Sequence, residues 1–206
     1  LAPLAYLNDD GGMLYIPGGM DLILRLYSLI SRVVSGIKNR LYERGVFSPA
    51  KAPLPVISIG NISLGGTGKT PLAIEVISWL SARGRRPALV SRGYRGRWEK
   101  KGGVVSDGTR IAGSWRDAGD EPFMAAAALP GAGVFVGKDR LASCLKAREM
   151  GFDVAVLDDG FQHRRLYRDL DIVIYSPYDG SALRESAAGL KRADLVLVEK
   201  EELEAN

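Results

Sequence analysis

The sequence is nearly devoid of cysteine and histidine, and these absences exclude several kinds of site. Among its 206 residues Cys144 is the only cysteine, so no intrachain disulfide can form and a reducing compartment suits the chain. His163 is the only histidine, which excludes metal centres built from several imidazoles. No apolar run reaches the ~20 residues that a membrane-spanning helix needs. The most apolar region, residues 22–41, is interrupted by Arg25, Arg32, Lys38 and Arg40.

The overall composition is that of a folded protein with a mild excess of positive charge. Hydrophobic residues make up 46% of the chain and charged residues 25%, which supports a buried core and excludes a disordered chain. The 28 basic and 24 acidic residues give a net charge of +4. This charge favours an anionic partner such as a nucleotide, a phospholipid headgroup or a nucleic acid, without choosing among them.

The basic region at residues 22–41 also carries a helical pattern. Its apolar residues recur at spacings of three and four, which is the period of one helix face. They are Leu22, Leu26, Leu29, Ile30, Val33, Ile37 and Leu41. Two interpretations stay open. The helix either packs its apolar face on the core or lies on an anionic lipid surface, where each basic residue contributes about 1 kcal/mol.

From residue 51 onward, short apolar runs alternate with longer amphipathic segments. The predicted strands are Val56–Ile59, Ala88–Ser91, Val134–Val136, Val154–Leu157, Ile172–Tyr175 and Leu195–Val198. The predicted helices are Lys69–Ala82, Pro122–Ala128 and Arg140–Met150. Continuous apolar strands joined by helices predict an α/β fold, with a mostly parallel sheet covered by helices on both faces. Ligands of such sheets bind beyond the carboxyl ends of the strands.

The glycine-rich stretch GNISLGGTGKTP follows the first of these strands. It ends as the P-loop pattern GxxxxGK[ST] does, although Ser63 stands where the first glycine is expected. In a P-loop, backbone amides and the helix N-terminus hold phosphate oxygens, while Lys69 would reach the β- and γ-phosphates and Thr70 would bind Mg²⁺. The predicted nucleotide-binding residues are Ser63, Leu64, Gly65, Gly66, Thr67, Gly68, Lys69 and Thr70. The pattern therefore predicts a P-loop NTPase-like fold.

Two acidic pairs are candidates to serve this loop. Asp158 and Asp159 close a predicted strand. Because neighbouring side chains at a strand end point in opposite directions, one carboxylate can face the metal ion and the other the substrate. Asp120 and Glu121 stand at a predicted helix start, where helix capping alone would explain them. Phosphoryl transfer to a hydroxyl also needs a carboxylate that accepts the proton, so a catalytic base is the second interpretation.

Three arginines are expected at the same edge of the sheet. Arg92 and Arg95, in SRGYRGR, follow a predicted strand and either meet an anionic substrate or belong to a solvated basic loop. Arg140 follows Asp139, a candidate helix cap, and could neutralise phosphate charge. These arginines are the candidates for substrate binding.

Together these motifs resemble one family, the tetraacyldisaccharide 4'-kinases of lipid A biosynthesis. The matching stretches are PVISIGNISLGGTGKTP, LVSRGYRGR, AGDEP, VGKDR, VLDDGFQHRRLYRDLDIV and LKRADLVLVEK, in order over about residues 22–200. GGTGKTP alone is moderately specific, but its combination with SRGYRG and DDGFQHR is highly specific. The family pattern reads Asn-x-x-x-Gly-Gly-x-Gly-Lys-Thr-Pro, so Ser63 agrees with it.

The resemblance implies a kinase that uses ATP and Mg²⁺ and phosphorylates the 4'-hydroxyl of an acylated glucosamine disaccharide phosphate. The implied metal residues are Thr70, Glu121, Asp158 and Asp159. The implied catalytic residues are Lys69, Asp120 as the base, Asp159 and His163. The implied location is peripheral, on the anionic cytoplasmic face of a Gram-negative inner membrane, which favours the lipid-surface interpretation of residues 22–41. No nucleic acid and no obligate protein partner are implied.

The expected organisation is an N-terminal segment over residues 1–50, which carries the basic amphipathic helix, and a P-loop kinase domain over residues 51–206. Family members usually carry a further C-terminal lobe that completes the cleft, and we expect this lobe to be absent from the chain. A P-loop ATPase of the regulatory kind, or a truncated fragment that binds nucleotide without transferring phosphate, stays open as an alternative.

Overall fold

The computed structural model describes residues 5–7, 13–15, 18–63, 68–176 and 183–198. Two short strands, β1 (Ala5–Leu7) and β2 (Met13–Tyr15), pair antiparallel. The remaining strands form one sheet and are β3 (Val56–Asn61), β4 (Pro87–Ser91), β5 (Gly103–Asp107), β6 (Gly133–Val136), β7 (Val154–Asp158), β8 (Leu170–Tyr175) and β9 (Leu195–Val198). Their order is β5-β6-β4-β7-β3-β8-β9, and neighbours are parallel except β5 and β6.

The helices connect and cover this sheet. They are α1 (Gly18–Glu43), α2 (Lys69–Ser81), α3 (Trp115–Ala118), α4 (Asp120–Ala128) and α5 (Arg140–Glu149), with a 3-10 helix at Ala187–Arg192. The predicted α/β fold with a mostly parallel sheet is confirmed, and the predicted elements from residue 56 onward agree within a few residues. The elements that were not predicted are β1, β2, β5, α3 and the 3-10 helix. β5 gave no signal because Val104 and Val105 are its only apolar residues and it pairs antiparallel at the sheet edge.

The core consists of two layers, one on each face of the sheet. On one face α2 and α4 pack Ile77 and Ala125 against strand residues such as Leu89. On the other face α5 packs Cys144 against strand residues such as Val90. Because Leu89 and Val90 are neighbours on one strand and lie in opposite layers, the sheet is buried on both faces.

The topology brings four loops to one edge of the sheet. β7 lies between β3 and β4, so the loops that follow these three strands are neighbours in space. The loop after β6 joins them because β6 pairs with β4. The predicted phosphate loop, the Asp158–Asp159 pair and the candidate arginines therefore meet at the carboxyl ends of the strands.

Helix α1 contains the predicted helix at residues 22–41. Its apolar side chains at Leu29, Ile30, Val33, Val34 and Ile37 are each more than half exposed. Its polar side chains at Lys38 and Asn39 are partly buried against the loop after β7. In the part of the chain that the structure describes, no helix is long and apolar enough to cross a membrane.

Candidate active site

The first turn of α2 and the end of β7 form the centre of the candidate site. Gly68 precedes α2 with a φ of +73°, a left-handed conformation that glycine adopts readily. Lys69 and Thr70 are the first two residues of the helix. The Thr70 hydroxyl donates a hydrogen bond to Asp158 Oδ2 at 3.0 Å. The predicted nucleotide-binding residues Leu64, Gly65, Gly66 and Thr67 lie outside the described residues.

Asp158 is only 3% exposed, and its Oδ1 atom has no hydrogen-bond partner among the described residues. Burial raises the pKa of Asp158 to about 6, the charges of Glu121 and Asp159 add to the rise, and the Thr70 hydroxyl opposes it. A buried carboxylate oxygen without a partner, beside a hydroxyl, suits Mg²⁺, which takes one or two protein oxygens and completes its shell with water and phosphate oxygens. Thr70 and Asp158 therefore fit this ion.

No group of three or more His, Cys, Asp or Glu side chains that could hold a metal ion occurs within the described ranges. This excludes a metal site made wholly of such side chains in that part of the chain.

Asp159 faces a different set of partners from Asp158. Its backbone φ of +55° is left-handed, which is uncommon for a residue other than glycine. Its carboxylate accepts hydrogen bonds from Arg184 Nη1 at 3.0 and 3.2 Å and lies 3.8 Å from Lys69 Nζ. The pKa of Lys69 is lowered because burial outweighs the attraction of Asp159. Of the two neighbouring carboxylates, Asp158 thus contacts a hydroxyl and Asp159 contacts two cations.

Sequence reasoning missed Arg184, because a single arginine in SALRES carries no motif. The chain beyond β8 returns to the end of the phosphate-loop strand, where the Arg184 amide donates to the Ile62 carbonyl at 2.8 Å. Ser63 and Leu183 form an antiparallel bridge beside this bond. This return, rather than any local pattern, brings Arg184 to Asp159.

Ser63 is itself part of this contact between the end of β3 and the chain beyond β8. Its side chain is 3% exposed, and its hydroxyl lies 3.3 Å from Asn61 Nδ2, which donates to it. The substitution of serine for the first P-loop glycine therefore adds a buried hydrogen bond at the entry to the loop. Its predicted contact with nucleotide stays a prediction.

The second acidic pair opens helix α4. The N-cap is Gly119, with a φ of +90°, and no side chain caps the helix. The capping predicted for Asp120 or Glu121 is therefore wrong, because both residues lie inside the first turn. A Cβ on Gly119 would lie 3.0 Å from the carbonyl oxygen of Tyr94, so the close approach of these segments favours glycine at the cap position.

Asp120 and Glu121 are both exposed. The charge of Glu121 raises the pKa of Asp158 and counteracts the lowering of the Lys69 pKa, so Glu121 contributes to the electrostatics of the site. The helix therefore presents two carboxylates, neither of which caps its end.

The candidate arginines have unlike surroundings. Arg92 Nε donates to Glu99 Oε1 at 2.7 Å, and the Arg95 amide donates to Glu99 Oε2 at 3.2 Å, so Glu99 holds this loop together. Arg140 is only 4% exposed; its Nη1 donates to the Gly137 carbonyl at 2.5 Å, while its Nε has no hydrogen-bond partner among the described residues.

Arg140 belongs to the electrostatic environment of the site. Burial lowers its pKa to about 10 and the charge of Arg92 lowers it further, whereas Asp158 and Asp159 oppose the shift. Asp139 caps α5 by accepting a hydrogen bond from the Ala142 amide at 3.1 Å, as its position in the sequence indicated. Arg140 is thus a buried, charged side chain with an unused donor.

His163 is partly buried in the loop that follows β7. Burial lowers its pKa to about 4, and the charges of Arg140, Lys38 and Arg168 contribute to the same effect. The imidazole is therefore neutral at neutral pH. In that form it can accept a proton or a hydrogen bond, but it carries no positive charge towards an anionic substrate.

Comparison with known proteins shows to which family the chain belongs. The model of the LpxK family, described as tetraacyldisaccharide-1-P 4'-kinase, matches residues 20–206. The chain belongs to this family. The resemblance drawn from the sequence motifs is thus confirmed for the tetraacyldisaccharide 4'-kinases.

Two curated relatives and one solved structure give the extent of the similarity. The tetraacyldisaccharide 4'-kinase of Syntrophus aciditrophicus is 43% identical over 187 residues, which cover 85% of this chain and 50% of the relative. That of Anaeromyxobacter sp. is 45% identical over 192 residues, covering 87% and 52%. The crystal structure of the "apo" form of LpxK from Aquifex aeolicus in complex with ATP has a TM-score of 0.80 and 36% identity, covering 89% of this chain and 60% of that one. The chain spans about half the length of these curated tetraacyldisaccharide 4'-kinases.

Proposed function

We propose that this chain is the nucleotide-binding part of a kinase that transfers the γ-phosphate of ATP to the 4'-hydroxyl of tetraacyldisaccharide 1-phosphate in lipid A biosynthesis. The observation that carries the proposal is the buried Asp158 oxygen without a partner, next to Thr70 at the start of the phosphate-loop helix. Membership of the tetraacyldisaccharide 4'-kinase family supplies the identity of the phosphate acceptor.

Lys69, Thr70 and Asp158 are the proposed nucleotide and metal residues. Lys69 binds the β- and γ-phosphates, and Thr70 and Asp158 hold Mg²⁺, which would neutralise phosphate charge. An LpxK relative from Aquifex aeolicus has been solved in complex with ATP, which supports ATP as the nucleotide. Glu121 and Asp159 support this centre by charge, and Asp159 is fixed by Arg184 and Lys69.

Asp120 is the proposed base that accepts the proton of the 4'-hydroxyl. It is exposed at the start of α4, and it does not cap the helix. Its carboxylate is therefore available to an acceptor sugar. Neutral His163 is proposed to assist on the acceptor side by accepting a hydrogen bond. Arg92, Arg95 and Arg140 are the proposed contacts for anionic groups of the substrates.

Residues 1–50 are proposed to attach the kinase domain, residues 51–206, to the cytoplasmic face of an anionic membrane. The apolar side chains of α1 at Leu29, Ile30, Val33, Val34 and Ile37 point away from the domain, while Lys38 and Asn39 contact it. A helix that packed its apolar face on the core would bury these side chains. The exposed cations Arg40 and Arg44, at the end of the same helix, complement anionic lipid.

Vesicle flotation tests the membrane attachment. We expect the pair Val33→Glu and Ile37→Glu to weaken binding to anionic vesicles by at least tenfold, because two buried apolar contacts with lipid are lost. Leu145→Glu, at an exposed apolar site on α5, is the matched control and retains binding. If both variants float equally well with the vesicles, α1 does not attach the protein to the membrane, and its role lies within the protein.

Phosphate transfer from γ-labelled ATP to tetraacyldisaccharide 1-phosphate tests the kinase activity in the intact protein. Lys69→Ala is expected to lower the rate on the order of 10³-fold, and the surface control Lys101→Ala leaves it unchanged. ATP hydrolysis that needs a protein partner and no disaccharide would instead indicate a regulatory ATPase. Nucleotide binding with neither reaction would indicate a binding fragment.

A further inference from the structure

Gln162, in the loop after β7, contacts both α1 and the strand that leads into the phosphate loop. Its side-chain Nε2 donates a hydrogen bond to the Asn61 carbonyl at 2.7 Å, and Asn61 is the last residue of β3. Its backbone carbonyl accepts a hydrogen bond from Lys38 Nζ of α1 at 2.9 Å. A single residue thus joins segments that lie 101 and 124 positions away in the sequence.

A second set of contacts holds α1 to the same region. Arg164 Nη1 donates to Asn39 Oδ1 at 3.0 Å, and Asn39 Nδ2 donates to the Glu185 carboxylate. Glu185 is 4% exposed, and its amide donates to the Ile62 carbonyl at 3.3 Å. Both routes from α1 therefore end at neighbouring carbonyls, those of Asn61 and Ile62.

The loop and the strand are packed too closely to move independently. A Cβ on Gly60 would lie 2.5 Å from the Phe161 Cβ and 2.9 Å from the Phe161 amide nitrogen. Phe161 is fully buried, and the Arg192 guanidinium lies 4.2 Å from the centre of its ring. A shift of the loop at Gln162 must therefore shift the end of β3.

Lys38 is held in this position against its electrostatic preference. Burial lowers its pKa, and the charges of Arg164, Arg165 and Arg168 contribute to the lowering, while the charge of Glu185 opposes it. A lysine in such a basic setting depends on the carbonyl that accepts its hydrogen bond. The contact with Gln162 is therefore more than the chance pairing of two surface groups.

We propose that Gln162 is a positioning residue that couples the docking of α1 to nucleotide binding. Its side-chain amide fixes the Asn61 carbonyl at the end of β3, the strand that precedes Lys69 in the chain, while Lys38 sets the position of Gln162 itself. The inference rests on the proposed nucleotide-binding function. It adds to that function a connection by which the membrane-facing helix influences the affinity for ATP.

ATP binding to the intact protein, measured by calorimetry in the presence of Mg²⁺ and without the lipid acceptor, tests this coupling. Gln162→Leu keeps the approximate size of the side chain and removes the donor, and we expect three- to tenfold weaker ATP binding with a melting temperature lowered by only a few degrees. Lys38→Met is expected to weaken binding two- to threefold. Lys51→Met, which removes an exposed lysine whose Nζ lies 5.5 Å from the centre of the Tyr167 ring, is the control and binds ATP like the wild type.

The double variant decides whether Gln162 transmits the effect. If it does, Lys38→Met causes no further loss in the Gln162→Leu background, because the connection is already broken. In steady state, KM for ATP rises while KM for the acceptor does not. Additive effects, or ATP affinity unchanged in Gln162→Leu, would overturn the proposal.

Two further outcomes have defined meanings. If Gln162→Leu does not fold, Lys38→Met on the surface helix still decides, since unchanged ATP affinity in that variant contradicts the coupling. If the wild-type protein does not bind ATP, the proposed function fails, and this result differs from a failure of the coupling, in which wild type and variants bind equally.

Discussion

The two acidic pairs at the edge of the sheet differ in how the protein holds them. Asp158 and Asp159 are tied by a hydroxyl, an arginine and a lysine. Asp120 and Glu121 are exposed in the first turn of α4 and cap nothing. Asp158 and Asp159 are thus held in place by other side chains, whereas Asp120 and Glu121 are accessible to a molecule that binds at the site.

This difference suits the separate tasks that we propose for the two pairs, namely metal binding and proton acceptance. A metal ligand gains from burial and fixed geometry, because the carboxylate need not be reorganised when the ion binds. A base must reach the acceptor hydroxyl and therefore has to remain accessible. The predictions that follow separate these tasks, in order of decreasing effect.

The largest effect is expected at the exposed pair. Asp120→Asn removes the proposed base without removing any cap, so we expect kcat to fall about 10²- to 10⁴-fold while ATP affinity is retained. Asp117→Asn is the matched control three residues earlier, because Asp117 serves the capping box of α3 with Ser114. The control should lose about 1 kcal/mol of stability and keep its transfer rate. Full activity in Asp120→Asn would remove Asp120 from the mechanism.

At the pair formed by Asp158 and Asp159, the effect is expected on the Mg²⁺ concentration that ATP binding requires. Asp158→Asn replaces a charged ligand with a neutral amide, and we expect the Mg²⁺ concentration for half-maximal ATP binding to rise about 10- to 100-fold. Asp159→Asn leaves Thr70 and Asp158 in place, so the Mg²⁺ concentration that this variant needs for half-maximal ATP binding should shift much less. Calorimetric titrations of ATP at several Mg²⁺ concentrations measure both variants, and equal shifts would contradict the division of roles.

Asp158 should also destabilise the metal-free protein. Its pKa rises from 3.8 to about 6 on folding, so between these values the folded state keeps a proton that the unfolded chain has released. The stability of the wild type therefore falls as the pH rises through this window. We expect Asp158→Asn to match the wild type below pH 4 and to exceed it by roughly 2–3 kcal/mol above pH 6.

Urea unfolding in EDTA measures this difference. His163 titrates with the opposite sign, because its pKa is lowered to about 4 on folding and stability rises with pH through that window. The contribution of His163 is common to both proteins, so it cancels when the free energy of unfolding of the wild type is subtracted from that of the variant. A difference that does not change with pH would show that Asp158 is not the group responsible.

The smallest effect is expected at the cation that holds Asp159. Arg184→Gln removes the partly exposed ion pair with Asp159, so we expect less than about 1 kcal/mol of lost stability. The Asp159 carboxylate, released from Arg184, then competes with the phosphates of ATP for Lys69, and KM for ATP should rise a few-fold. Arg110→Gln, which loses an exposed pair with Asp107, is the control and leaves KM unchanged.

The sequence predicted most of the fold because its central strands are continuous apolar runs. Burial on both faces requires such runs, as Val154–Leu157 illustrates, and the helices between them begin at recognisable positions such as Asp139. β5 was missed because an edge strand needs only one apolar side. The cap of α4 was misjudged because the backbone at Gly119 places the boundary one residue earlier than the acidic pair.

For the site, the sequence predicted the groups that belong to motifs and missed those brought together by the fold. The contact between Thr70 and Asp158 was foreseeable because a P-loop needs an acidic partner at a neighbouring strand end. Arg184 was not, since it reaches Asp159 only through the return of the chain to Ile62. The same holds for the contact between Gln162 and Lys38, which depends on where α1 docks.

The outward apolar row of α1 has a consequence for handling the protein in the laboratory. In plain buffer, the exposed apolar side chains of Leu29, Ile30, Val33, Val34 and Ile37 form a strip that is stabilised by any apolar surface that covers it. Another copy of the same helix offers such cover. Particle sizes measured without lipid or detergent therefore report how this strip is shielded, and a mild detergent that disperses the particles should leave nucleotide binding intact.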